Sequence, residues 1–153
     1  MSKLVPVEES NTSPDVFDFV FPSRFDEAQA NDGRWFAVVD ENDVQWGRFK
    51  CTLIDSTVPR YKIALERLQR KYGGKSAKAK PGDDFTAELF IEMSLVDWDM
   101  KNSKGDVIPF SRQAAMAYFT NPRGAYALKQ LLVDAENVAN FQPEEQEELP
   151  EGN

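Results

Sequence analysis

Histidine is missing from this chain and cysteine occurs once, at position 51. Without histidine there is no Ser-His-Asp or Cys-His catalytic pair and no imidazole to bind a metal. A single cysteine rules out an intrachain disulfide and a cysteine-rich metal site. Cys51 sits in the apolar run Phe49-Lys-Cys-Thr-Leu-Ile54, so it reads as a small buried hydrophobe, with no neighbouring base to make a thiolate. No stretch of 18 apolar residues occurs, which excludes a membrane-spanning helix. The first residues lack an apolar segment of signal-peptide length, and the expected location is the cytoplasm. A glycine-rich phosphate loop, a nucleophile elbow and a dinucleotide fingerprint are also missing. The expectation is a protein that is not an enzyme, takes no cofactor and does not enter a membrane.

Positive charge is scarce but concentrated. The net charge is −8, yet residues 48–80 hold ten of the 18 basic side chains and two of the 26 acids, so that segment is +8 and the rest −16. Arg67, Arg70, Lys71, Lys75, Lys78 and Lys80 form the candidate electrostatic belt. Such asymmetry suits steered association with a charged partner or a second copy. It equally suits internal pairing of acidic and basic parts. The basic loop and Tyr61 and Tyr72 suggest nucleic acid only weakly, because both tyrosines lie on an apolar stripe and the net charge repels phosphate.

The chain divides into four parts. Residues 1–14 are polar and read as a flexible arm, and residues 142–153, with Glu144, Glu145, Glu147, Glu148 and Glu151, as an acidic disordered tail. Residues 15–55 read as β-rich. Residues 16–21 alternate Phe17, Phe19 and Phe21 against Val16, Asp18 and Val20, a strand pattern. Residues 33–39 and 44–54, joined by the polar turn 40–43, read as a β-hairpin in which Gly47 could mark a bulge.

Residues 56–141 read as helical. Val58, Tyr61, Leu65, Leu68 and Tyr72 repeat at helical spacing, with Ser56 or Thr57 as the cap, Pro59 in the first turn and Gly73-Gly74 at the end. A second helix starts at Asp83 and Asp84, carries Phe85, Leu89, Phe90, Met93 and Val96, and ends near Trp98. Gly105 turns the chain into residues 107–110. Ser111 caps a third helix reaching Phe119, residues 121–124 break it, and a fourth starts near Ala125. The expected fold class is α+β: a small antiparallel sheet followed by a bundle of about four helices.

Asp83-Asp84 and Asp97/Asp99 are the acidic clusters with a metal-site look. A single helix between them would hold them about 20 Å apart, and each has a plainer reading as helix-end charge. Trp35, Trp46 and Trp98 read as core or interface residues, Trp98 being the best anchor candidate.

The order of Gly33-Arg-Trp35, Arg48-Phe-Lys50, Ala64-Leu-Glu-Arg-Leu68, Asp97-Trp98, Gly105, Pro109-Phe110-Ser111, Asn121-Pro122 and Asn140-Phe141 resembles the tail assembly chaperones of long-tailed bacteriophages. The resemblance spans roughly residues 33–141. It implies a non-enzymatic assembly factor that coats the tape-measure protein, a long helical rod with apolar faces, and helps recruit tail-tube subunits, with self-association as a further possibility. Trp98, Phe110, Tyr118 and Phe119 are then the candidate partner-binding residues. Three other readings stand beside it: a structural protein that stays in the virion, a small-molecule or metal enzyme, and an acidic inhibitor that mimics DNA.

Overall fold

The structure, a computed structural model, describes residues 17–73 and 83–142. The flexible arm, most of the basic loop (with Lys75, Lys78 and Lys80) and the acidic tail from residue 143 lie outside the described residues.

The element order is α1 (Glu27–Asp32), β1 (Arg34–Val39), β2 (Gln45–Cys51), α2 (Pro59–Tyr72), α3 (Asp84–Met93), β3 (Leu95–Lys101), β4 (Val107–Ile108), α4 (Arg112–Phe119) and α5 (Gly124–Glu136), closed by a 3₁₀ turn at Val138–Phe141. The expected α+β class is the one found: a four-stranded antiparallel sheet in the order β1-β2-β3-β4, with helices α2 to α5 after the hairpin.

Local chemistry explains most element ends. Asp26 caps α1 by accepting from the Ala28 and Gln29 N–H groups, and Ser111 caps α4 by accepting from Ala114 N–H. Pro59 opens α2, where a missing N–H costs nothing. The expected Ser56 or Thr57 cap does not form. Val58 occupies the cap position and Asp55 instead accepts from the Thr57 N–H and hydroxyl.

Two expectations are corrected. Residues 17–21 are not a strand: no described strand pairs with them, Asp18 takes a left-handed φ of 57°, and the three phenylalanines are exposed. Alternation makes a strand amphipathic but does not supply a neighbour. The helix expected to end near Trp98 stops at Met93, and the chain turns at Ser94 into β3. On β3, Cys51 faces Leu95 while Lys50 faces Asp97, so Val96 is an extra residue, a β-bulge. The bulge buries Leu95 and Trp98 three residues apart and leaves Val96 43% exposed. That spacing mimics a helical stripe.

One sheet face carries the core. Val38, Phe49, Cys51 and Trp98 join Phe90, Phe119, Leu128 and Leu131 in a single buried cluster. α2 packs on α3, α3 on α4, α4 on α5, and α5 lies against β1 and β2. A smaller cluster of Ala30, Leu53 and Phe141 closes the corner beneath α1. The other sheet face is open: Trp35 holds the Arg48 guanidinium 4.9 Å over its ring, and Arg48 reaches Asp99 at 3.6 Å.

Candidate partner-binding site

The four aromatic candidates converge. Trp98 packs edge-on against Phe110 (5.6 Å between centroids) and Tyr118 (6.1 Å), and Tyr118 lies 5.0 Å from Phe119. Phe49 joins Trp98, Tyr118 and Phe119 from the sheet. Their exposure differs. Phe119 is fully buried and Trp98 is 7% exposed, its indole N–H donating to the Ile108 carbonyl at 2.8 Å, which pins β4 to β3. Phe110 and Tyr118 are half-buried.

Tyr118 opens onto the surface. It lines a hollow of about 380 Å³ with Trp46, Ala117, Asn121, Arg123 and Gly124 at the α4–α5 corner. Trp46 is the member that the aromatic motif did not single out. It comes from the hairpin, where Asp40 accepts from its indole N–H at 3.0 Å and Tyr126 packs against it at 5.1 Å. The indole N–H, then the Val44 N–H, hold the Asp40 carboxyl below the usual carboxylate range. A hairpin-tip aspartate immediately after a β-strand was the available signal for it. Burial pushes the Tyr118 phenol up, so it stays neutral at physiological pH.

Gly124 sets the shape of this hollow. A Cβ there would stand 1.9 Å from the Tyr118 carbonyl oxygen, so only glycine lets α5 start this close to α4. Gly47 has a related role on the sheet: φ is +154°, and Met100 Sδ fills the space a side chain would need.

The electrostatic belt is partly committed inside the fold. Glu88 on α3 is buried and accepts from Tyr72 at 2.6 Å, from Lys71 at 2.9 and 3.1 Å, and from Arg112 at 2.5 Å. Burial alone would raise its carboxyl, but these donors outweigh it and hold the group down at about 2. Arg67 pairs with Glu92. Arg70 stays exposed.

Asp99 and Asp97 stand opposite Arg48 and Lys50 on the open sheet face. Among the described residues no three metal-ligating side chains converge. Two open hollows of about 390 Å³ flank Leu53 and Asp55, but Asp55 is bonded to Thr57 and Arg60 to the Met93 carbonyl. Burial pushes the Cys51 thiol up to about 12. Among the described residues no helix is long and apolar enough to cross a membrane.

The fold and site define a mixed α+β protein with a half-covered antiparallel sheet and an aromatic hollow where hairpin meets helices. The chain belongs to the YdaY prophage protein family, whose profile matches residues 54–152. It is therefore a protein of phage or prophage origin. The matched span holds Tyr118, Arg123 and Gly124, whereas Trp46 and the β1–β2 hairpin precede it. No curated protein and no solved structure matches the chain.

Proposed function

We propose that this protein is a non-enzymatic tail assembly chaperone, acting in the host cytoplasm, that binds the tape-measure protein and helps recruit tail-tube subunits. The observation that carries the reading is the hollow of Trp46, Tyr118 and Arg123. Tryptophan, tyrosine and arginine are the residue types that dominate binding energy at interfaces. A concave aromatic surface at a helix corner accepts an apolar side chain from an amphipathic helix, with Arg123 at the rim to meet an acid beside it. Prophage family membership and the order of motifs from residue 33 to 141 support the same reading. Repetition of weak contacts along a rod adds by avidity, so each copy needs only modest affinity.

The test is capture of tagged protein from cells assembling phage tails, with co-purifying proteins identified by mass spectrometry. Wild type should enrich one very long helix-rich protein together with the tube subunit. Ala117→Arg places a long cation at an exposed helix position on the lip of the hollow, and should abolish that enrichment without changing the melting temperature. Recovery of the chain alone, or of a nucleic-acid enzyme, sinks the reading. Abundance in purified mature particles would favour a structural virion protein instead.

A further inference from the structure

Residues 17–21 present an unusual surface. Phe17, Phe19, Val20 and Phe21 are 65%, 61%, 88% and 76% exposed. Among the described residues the three rings pack along the sequence, at 5.8 and 6.0 Å between centroids. Together they leave roughly 400 Å² of aromatic surface in water, as much as the largest patch on an ordinary monomer. Their spacing is the two-residue period of a strand.

The sheet has a site of matching form. β1 is the edge strand, and among the described residues the one backbone group of Arg34–Val39 that is bonded outside its ladder to β2 is the Val39 carbonyl, which accepts from Gln130. Its open-face row is Trp35, Ala37 and Val39, apolar, exposed and also spaced by two. An edge strand offers unpaired N–H and C=O groups to any extended chain laid beside it. A row of three phenylalanines set beside Trp35, Ala37 and Val39 would form cross-strand apolar pairs along the same sheet face, while the donor's polar Asp18 belongs to its other face.

The donor is held close to its own anchor. Gln142 donates to the Arg24 carbonyl and Asp26 N–H donates to the Phe141 carbonyl, so Phe21 lies three residues before Arg24, the first residue bonded to the closing 3₁₀ turn and its flank. Among the described residues the segment stands exposed and pairs with no strand.

We propose that residues 17–21 of one copy pair with the β1 edge of a second copy, so that the protein self-associates head to tail by strand donation. Donor and acceptor are different surfaces, so each copy uses both and the contact propagates rather than closing at a dimer. The occupant is a second copy because the two rows match in number, spacing and chemistry. This inference stands apart from the tail-chaperone reading, since its test needs only purified protein.

Sedimentation velocity on the full chain should show mass rising with concentration. Phe19→Asp, at an exposed position, should weaken self-association by about tenfold or more without altering the melt. Mixing Phe19→Cys protein with Ala37→Cys protein under oxidation should yield a disulfide-linked heterodimer, because buried Cys51 does not compete. Two results overturn the proposal: a monomer at every concentration tested, or a Phe19→Cys/Ala37→Cys double variant that cross-links within one chain at high dilution while the mixed single variants do not cross-link.

Discussion

Gly124 and Cys51 show how single positions are decided by contacts from elsewhere in the chain. Gly124→Ala drives a methyl into the Tyr118 carbonyl, a backbone atom that cannot swing aside. The expected cost is about 2–3 kcal/mol, read as a lower denaturant midpoint with unchanged slope. Partner capture should fall as well, because the same corner forms the hollow. Cys51 has no exposed surface and its thiol is raised to about 12 by burial. A thiol reagent should leave the native protein unmodified at pH 8 and label it at the rate of unfolding. Rapid labelling of native protein would refute the placement of Cys51 in the core. The burial of Cys51 was legible from its apolar neighbours, whereas the need for glycine at 124 was not. Asn121-Pro122 announces a break between helices but not how tightly α5 returns to α4.

At the scale of elements, caps and stripes were readable and strand pairing was not. Ser111 caps α4 as its position before an apolar run suggested, and Ser111→Ala should cost about 1 kcal/mol, measured by thermal or chemical denaturation. α1 went unassigned although Asp26 and Gly33 bracket it as cap and terminator. The misreading of residues 95–98 has a definite cause. The Val96 bulge shifts the buried positions from every second residue to three apart, which imitates the helix that precedes it. Residues 17–21 failed in the opposite sense, showing clean alternation without a partner strand among the described residues. Trp98 illustrates the first error: expected at a helix end, it sits mid-strand and spends its indole N–H on β4.

Across the whole molecule, the Glu88 network ties three helices together through one buried carboxylate with donors from α2 and α4. A free glutamate titrates near 4.5 and this one at about 2. Folding therefore gains most above pH 4.5, and the gain disappears as pH falls toward 2, where both states are protonated. The contribution is at most on the order of 3 kcal/mol, because Lys71 and Arg112 remain half in water. Glu88→Gln should lower stability at pH 7 and flatten its decline between pH 4.5 and 2. An equally steep acid decline in the variant would show that other carboxylates govern it. The same network shows that the concentrated positive charge is partly structural: Arg67 and Lys71 neutralise acids of α3.

Sequence by itself determined what depends on neighbours a few residues apart. The β1–β2 hairpin, the limits of α4, the apolar stripes of α2 and α5 and the turn at Gly105 all follow from local periodicity, capping and backbone preference. Tertiary structure alone decided which aromatic residues are spent in the core and which remain on the surface. It brought Trp46 beside Tyr118, turned residues 95–101 and 107–108 into the third and fourth strands, buried Glu88 among its donors and left residues 17–21 without a partner among the described residues. Each of these rests on contacts between residues far apart in sequence, and a strand, unlike a helix, completes its hydrogen bonds only with a neighbour that the local sequence does not name.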